Sequence, residues 1–161
     1  MFKFIYRSFL ILALSASISA CGFHLRGKIV VPESLQTMHI KGDEIELIQQ
    51  LGDALAFSDI QIVELADNVA ILDMDGTTYI KDVNGTNDIG IATSYKLEYK
   101  VKYQVFDADA NLMQQHNLYQ RRSIDYDVDE ILIFERQEKF LKEEMQKELV
   151  TQILRRLSKI K

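Results

Sequence analysis

Two aspartates follow an apolar run in the middle of the chain, within the stretch VAILDMDGTTYI at residues 69–80. Asp73 and Asp75 are separated by one residue, and Gly76 and Thr77 come directly after them. An aspartate carboxylate that follows an apolar strand can act as a nucleophile and take up a phosphoryl group. Such chemistry also needs a cation that neutralises the transferring oxygens, and metal-binding carboxylates on neighbouring strands. The aspartates are therefore catalytic only if the rest of the chain supplies these partners.

The spacing Asp-x-Asp-Gly-Thr resembles the first motif of the haloacid-dehalogenase phosphatases, which would make Asp73 the nucleophile. That family places its lysine and its late acidic pair on a parallel, doubly wound sheet, whereas the strands predicted after Gly76 form an antiparallel hairpin. The pair Asp129-Glu130 opens a predicted helix rather than ending a strand. Asp-Gly is also a strong turn signal, because glycine tolerates a positive φ angle. We interpret Asp75-Gly76 as a bend or a hairpin tip between sheet segments, and a phosphatase that uses Asp73 is a remote alternative.

The remaining residues offer little further chemistry. His24, His39 and His116 do not stand at a metal-ligand spacing such as His-x-x-x-His. The chain also lacks Gly-x-Ser-x-Gly, the phosphate-binding Walker loop and Gly-x-Gly-x-x-Gly. We therefore predict no catalytic residue, no metal site and no cofactor, and we do not expect the protein to be an enzyme.

The first twenty residues have the pattern of a secretory signal peptide. Lys3 and Arg7 give a positive start, the run SFLILALSASIS is largely apolar, and small residues lead up to Cys21. The apolar run is shorter than the roughly 20 residues that a transmembrane helix needs. The stretch ISAC at residues 18–21 resembles the lipobox of bacterial lipoproteins, in which the cysteine becomes the first residue and carries acyl chains. We therefore predict that residues 1–20 are removed and that Cys21, the only cysteine, is lipidated.

The residue after this cysteine indicates which membrane holds the protein, and the overall charge limits the classes of partner that it can bind. Lipoproteins that stay in the inner membrane usually carry Asp after the lipidated cysteine, whereas this chain has Gly22. We therefore predict a lipid-anchored position on the periplasmic side of the cell outer membrane, since several acyl chains anchor a protein stably. The whole chain has a net charge of −5, and the signal segment contributes basic residues but no acid. A nucleic-acid partner is not expected, because proteins that bind nucleic acids are usually basic.

Hydrophobic periodicity predicts a single α+β domain at residues 35–161, after a lipidated tether at residues 21–34. The apolar spacing of residues 42–57 predicts one helix. A second helix begins with Asp127 as its cap and has an apolar stripe that ends at Leu157. The two helices should pack on one face of a mostly antiparallel sheet of about four strands, which is a two-layer sandwich. Strand material is predicted at residues 35–40, 60–65, 69–74, 94–106 and 112–124.

The strand at residues 94–106 shows the clearest pattern in the chain. Apolar and aromatic residues occupy every second position from Tyr95 to Val105, and polar residues stand between them. One face should therefore lie on the core and the other should face water or a polar partner. A solvated face without a ligand is the alternative to a binding site here. The candidate ligand-binding residues are the basic side chains of this strand and of its presumed neighbour: Lys96, Lys100, Lys102, Arg121 and Arg122.

The residues that follow the predicted signal resemble the beginning of LptE proteins, the lipopolysaccharide-assembly family once called rare lipoprotein B. Residues 21–27 read CGFHLRG, and the family typically begins Cys-Gly-[aromatic]-His-Leu-Arg. The stretch ATSYKL at residues 92–97 is similar to the start of the family's long central strand. Arg122-Ser123 and EEMQKELVTQILRRL at residues 143–157 are similar to its closing strand and final helix. The resemblance therefore extends across the mature chain.

This resemblance implies a function without catalysis. Members of the family form a complex with the β-barrel translocon protein LptD, plug the barrel, support its assembly and bind lipopolysaccharide on its way to the cell surface. Lipopolysaccharide presents phosphates and acyl chains, so cations beside apolar surface are the expected contacts. A different outer-membrane lipoprotein, which binds a lipid or a small molecule without a barrel partner, is the alternative.

Overall fold

The computed structural model describes residues 28–160 of the chain. Cys21, the predicted signal segment and most of the predicted tether lie outside these residues. Short 3-10 helices at Glu33–Leu35 and Val128–Glu130 precede the first strand and the last helix. The strands and α-helices of the described part are β1 (Thr37–Gly42), α1 (Ile45–Phe57), β2 (Gln61–Ile62), β3 (Ala70–Met74), β4 (Thr78–Thr86), β5 (Ala92–Phe106), β6 (Leu112–Asp125) and α2 (Ile131–Leu157).

The strands form one mixed sheet in which β5 is the central member. β1 pairs in parallel with β2 and β3, because α1 and the segment after it return the chain to the same end of the sheet. β5 pairs antiparallel with β3, β4 and β6. The predicted α+β class is confirmed, although the sheet has six strands instead of about four and includes parallel pairs. A sheet segment was expected after Asp75-Gly76, but the bounds of β4 were not predicted, because most of its side chains are exposed and it lacks a buried face.

β3 and β4 lie end to end along the same edge of β5. Asp73 is paired with Gln104, and Thr78 is paired with Lys100. The segment between Asp73 and Thr78 is one residue longer than the segment of β5 that it faces, as in a β-bulge. Gly76 lies in this segment and has a φ angle of +104°. Asp75-Gly76 is therefore a bend within one interrupted strand and not a hairpin tip.

The two helices pack on one face of the sheet and enclose the core. The apolar positions of β5 from Leu97 to Val105 are all buried, as their alternation predicts. The buried residues of α1 are Leu47, Leu51 and Leu55. The buried apolar residues of α2 follow the predicted stripe: Phe134, Met145, Leu149, Val150, Ile153 and Leu157. Val31 is also buried and Ile29 packs against the core, so part of the segment predicted as a tether contributes to the domain.

The final helix begins after a capped turn. The carboxylate of Asp127 accepts a hydrogen bond from the Asp129 N–H at 2.9 Å and so caps the 3-10 turn. Glu130 makes no capping hydrogen bond, and the α-helix itself begins at Ile131. None of the helices within residues 28–160 is both long enough and apolar enough to cross a membrane.

Candidate functional site

The candidate functional site is the face of the sheet that the helices leave open. The polar side chains of β5 lie on this face, and the residues paired with them on β4 and β6 share it, because directly opposite residues point to the same side. On β4, Asp82 is paired with Lys96, Ile80 with Glu98 and Thr78 with Lys100. On β6, Ser123 is paired with Lys96, Arg121 with Glu98, Tyr119 with Lys100 and Asn117 with Lys102.

Four of the five predicted cations meet on this open face. Lys96, Lys100 and Lys102 lie on β5, and Arg121 is the cross-strand partner of Glu98 between them. Arg122 lies on the opposite, helix-covered face, where its Nη2 atom contacts Glu148 Oε1 of α2 at 2.5 Å. Arg122 therefore ties β6 to the helix, apart from the other four cations.

Glu98 stands at the centre of the open face with only 8% of its side chain exposed. The Lys100 ammonium lies 2.5 Å from its Oε1 atom, and the Arg121 Nε–H donates to its Oε2 atom. The Arg121 guanidinium also lies over the Tyr119 ring, 4.9 Å from the ring centroid. Hydrogen bonds from Lys100 and Arg121 lower the pKa of Glu98 from 4.5 to about 2. The carboxylate is therefore charged at neutral pH and offsets part of the positive charge of the face.

Lys96 and Lys102 retain charges that this carboxylate does not offset. Among the salt bridges of residues 28–160, neither ammonium group has a carboxylate partner. Lys102 is exposed and Lys96 is half-buried. The arrangement can therefore bind an anionic group through these two lysines, with Lys100 and Arg121 beside them.

Asp73, the candidate nucleophile, holds the bend in place. Its Oδ1 atom accepts a hydrogen bond from the Asp75 N–H at 3.0 Å, and its Oδ2 atom accepts one from Lys41 Nζ at 3.0 Å. The hydrogen bond to Asp73 raises the pKa of Lys41. β3 lies between a parallel and an antiparallel neighbour, which differs from the parallel, doubly wound sheet of the phosphatases. Both carboxylate oxygens of Asp73 thus have structural partners.

The described histidines take part in hydrogen bonds of the fold. His39 Nδ1 lies 3.0 Å from the Val63 carbonyl oxygen, and His116 Nδ1 accepts a hydrogen bond from Arg156 Nη1 at 3.0 Å. Burial and the charge of Arg156 lower the pKa of His116. Within residues 28–160 no group of three or more histidine, cysteine, aspartate or glutamate side chains could hold a metal ion. His24 lies outside these residues.

Two members of the site, Glu98 and Tyr119, were not among the residues predicted from the sequence. Glu98 could have been found from its position, because an acid between basic residues on one face of a strand is well placed to pair with them. Tyr119 lies two residues before Arg121 on β6 and therefore shares its face, but which face this is depends on a register shift near the start of β6 that the sequence does not mark.

The fold is shared with bacterial lipoproteins of known structure. The solution structure of an uncharacterized lipoprotein B from Nitrosomonas europaea has a TM-score of 0.71 at 22% identity, over 85% of this chain and 90% of that chain. The rare lipoprotein B from Shewanella oneidensis has a TM-score of 0.65 at 20% identity, over 76% and 93%. A minor lipoprotein from Acinetobacter baumannii has a TM-score of 0.66 at 21% identity, over 79% and 93%. At these identities the similarity concerns the fold alone.

Sequence comparison shows the family. No curated protein gives a significant sequence match to the chain. The family profile described as "LptE: Lipopolysaccharide-assembly" matches residues 33–157. This match begins at the first 3-10 helix and ends at the last residue of α2, so it includes all the strands and helices described above. The chain therefore belongs to the LptE family of lipopolysaccharide-assembly proteins.

Proposed function

We propose that this protein is an outer-membrane lipoprotein that forms a complex with the LptD β-barrel translocon and plugs the barrel from its periplasmic side. In this role it assists assembly of the barrel and delivery of lipopolysaccharide to the outer leaflet. The observation that carries the proposal is the family match over residues 33–157, which spans the whole domain. Participation in lipopolysaccharide assembly follows from the family, and the barrel partner is the proposed addition.

The proposed membrane anchor is a lipid on Cys21. Removal of residues 1–20 would leave this cysteine as the first residue, and residues 21–27 would connect it to the described domain. A short tether holds the domain close to any barrel in the same membrane, which raises its effective concentration beside that partner. Lipidation therefore supports complex formation without adding a contact.

One end of the sheet offers surfaces that suit a protein partner. Ile89 is 79% exposed in the loop between β4 and β5, and Leu132 is 68% exposed at the start of α2. Asn87 fixes the loop, because its Oδ1 atom accepts hydrogen bonds from the N–H groups of Ile89 and Ile91. The Tyr126 N–H donates to the Thr93 carbonyl, so the loop and the helix start lie at the same end. Exposed apolar side chains on ordered segments favour protein contacts, and this end is the proposed contact with the barrel wall.

The open face of the sheet is the proposed surface for lipopolysaccharide. Phosphate groups would form charge-assisted hydrogen bonds with Lys96, Lys100, Lys102 and Arg121. Apolar surface is available beside these cations, because Tyr119 is 61% exposed on the same face. Arg122, the fifth predicted cation, could join them only after releasing Glu148.

Affinity purification of the full-length lipoprotein from the cell envelope tests the barrel partner. We expect LptD to be recovered in a stable complex with the wild-type protein. A Cys21→Ala variant, which lacks the lipidation site, should recover much less of it, because the tether no longer holds the two proteins in one membrane. Recovery of the wild-type chain as a lone monomer with bound lipid would contradict the barrel complex.

A groove between the two helices favours the alternative, a lipoprotein that binds a lipid or a small molecule without a barrel partner. The groove has a volume of about 910 Å³ and is lined by Ala54 and Phe57 of α1 and by Val150 and Leu154 of α2. Small-molecule sites commonly have volumes of roughly 300–1,000 Å³. The purification described above separates the two functions, since only one of them requires LptD.

A further inference from the structure

The outer edge of β6 lies apart from the open-face cations and from the exposed loop at residues 87–91. Within residues 28–160, β6 pairs with β5 alone, so its other side is a free sheet edge of 14 residues. Free strand edges carry unpaired main-chain groups and are templates for pairing with another chain. Near Asp125 this edge borders a groove against α2.

The main-chain groups of Ser123 and Asp125 point toward the free edge. The Tyr126 N–H donates to the Thr93 carbonyl at 2.8 Å and therefore points toward β5. Main-chain groups of successive residues in an antiparallel strand point to opposite sides, so those of residues 123 and 125 point away from β5. Both residues are exposed. An incoming strand can therefore form ladder hydrogen bonds with them.

The groove beside this edge lies between β6 and one face of α2. Ile133, Gln137 and Phe140 follow at spacings of four and three residues and so share that face of the helix. Ile124 and Leu141 also line the groove, whose volume is about 580 Å³. Ile133 is 49% exposed and Phe140 is 60% exposed. A strand added to β6 would cover these two apolar side chains.

The rim of the groove is acidic. Asp125, Asp127 and Glu130 line it, and none of them takes part in a salt bridge within the described part of the chain. The side chain of Asp125 lies on the open-face side of β6, whereas Ile124 is buried on the helix side. A complementary strand therefore carries basic residues on its open-face side and apolar residues on its helix side, which is the alternation of a β-strand.

We propose that an extended segment of the barrel protein, with alternating apolar and basic residues, adds as a strand to the β6 edge at Ser123 and Asp125. Its apolar side chains enter the groove beside Ile133 and Phe140, and its basic side chains face Asp125 and the acidic rim. Main-chain hydrogen bonds provide the affinity in this mode of recognition, and the groove provides the selectivity. The inference rests on the proposed function, because it locates where the barrel partner docks.

Proline substitutions at the free edge test the docking site. Ser123→Pro removes an N–H that the β5–β6 ladder does not use, so the fold should persist. Gln115→Pro is the matched control, because Gln115 is exposed, has the same outward orientation on β6 and does not line the groove. The full-length lipoprotein is titrated with LptD in detergent micelles. We expect Ser123→Pro to weaken binding at least about tenfold through lost ladder hydrogen bonds, and Gln115→Pro to change it less than about twofold.

A charge variant keeps the test valid if the proline variants unfold. Asp125→Lys places a cation where basic partner residues are expected and should weaken binding to LptD. Asp109→Lys is its control, because Asp109 is exposed in the loop between β5 and β6, away from the groove. The amide hydrogens of Ser123 and Asp125 should also exchange more slowly in the complex than in the free lipoprotein.

Each other outcome overturns the docking site. Unchanged affinity of Ser123→Pro and Asp125→Lys, or unprotected amides in the complex, would remove the site and leave the barrel complex intact. Protection in the free lipoprotein at high concentration would indicate pairing between two copies. Protection by lipopolysaccharide alone would indicate a ligand groove. If the wild-type lipoprotein does not bind LptD at all, the proposed function itself fails, and the docking inference fails with it.

Discussion

At the scale of single residues, Glu98 determines how much positive charge the open face presents. Its carboxylate is nearly buried and charged, and a buried charge without partners is strongly unfavourable. Lys100 and Arg121 supply the partners, so their charges are already partly offset. Lys96 and Lys102 lack such partners in the part that the structure describes, so they should contribute most to attraction of a phosphate group.

Charge reversal at these two lysines tests the ligand surface. The double variant Lys96→Glu with Lys102→Glu should weaken lipopolysaccharide binding at least about tenfold, because two attractive charges become repulsive. Its melting temperature should change little, since surface charges contribute little to stability. Titration with lipopolysaccharide gives the affinity. The control is Lys139→Glu with Lys147→Glu, the same charge change on exposed positions of α2. Equal losses in both variants would contradict a specific site on the open face.

The lowered pKa of Glu98 predicts a pH dependence of stability. The pKa lies at about 2 in the folded protein and at the ordinary 4.5 when Glu98 is released by unfolding. The charged carboxylate therefore stabilises the fold fully above about pH 4.5, and this contribution is lost as the pH falls toward 2. Denaturation midpoints of wild type and Glu98→Gln should differ at pH 7 and converge in acid. Asp88→Asn, at an exposed carboxylate of the loop at 87–91, should show no comparable difference.

At the scale of elements, the bend at Asp75-Gly76 lets one interrupted strand follow β5 for most of its length. β3 covers the C-terminal end of β5 and β4 covers the rest, so this edge of β5 is paired on both sides of the bend. The bend requires a residue that accepts a φ angle of +104°, and Gly76 supplies it. The sequence Asp-Gly thus determines the path of the strand.

Alanine substitutions at two glycines should change stability in opposite directions. Gly76→Ala should destabilise the protein by about 1–2 kcal/mol, because a residue with a Cβ atom is strained at this φ angle. Gly52→Ala should stabilise it by about 0.5–1 kcal/mol, because alanine favours the helix interior. The new Cβ at position 52 would meet Ile40 Cδ1 at 3.8 Å, an ordinary contact. Denaturant unfolding measures both changes, and a neutral Gly76→Ala would argue against the strained bend.

The alternation of apolar and polar residues made the two faces of β5 predictable. The register in which β6 pairs with β5 was not predictable. Phe106 of β5 is paired with Leu112 of β6. If the ladder continued from this pair without a shift, Arg122 would lie opposite Lys96. Met113 is an extra residue in β6 that shifts the register by one, so that Ser123 is opposite Lys96 instead. A shift of one residue exchanges the faces of a strand, which moves Arg122 to the helix side. No turn residue or glycine marks this bulge, so the sequence could not distinguish Arg121 from Arg122.

At the scale of the whole molecule, Gln146 joins both layers of the domain. It is fully buried on α2, its Nε2 donates to the Tyr99 hydroxyl of β5 at 3.1 Å, and its Oε1 accepts from Gln50 Nε2 of α1 at 3.1 Å. Tyr99 is itself fully buried. One side chain therefore connects the sheet to both helices, and sequence periodicity would not assign a glutamine to the core.

Replacement of this glutamine should be costly. Gln146→Leu keeps a similar volume but leaves the buried Tyr99 hydroxyl without its donor, which should destabilise the protein by about 1–3 kcal/mol. Adding Tyr99→Phe removes the unpaired hydroxyl and should recover part of the loss. Denaturant unfolding of both single variants and the double variant gives the coupling energy. Strictly additive effects would mean that the hydrogen bond contributes nothing to the fold.

The short connections on either side of β5 should determine which part of the sheet folds first. β4, β5 and β6 are neighbours along the chain and are joined by the loops at residues 87–91 and 107–111. β1, in contrast, reaches β3 only across α1 and β2. Contacts between nearby segments form faster than contacts that close long loops. The three-stranded meander should therefore form first and act as the template onto which β1, β3 and the helices assemble, although β1 and α1 precede it in the chain.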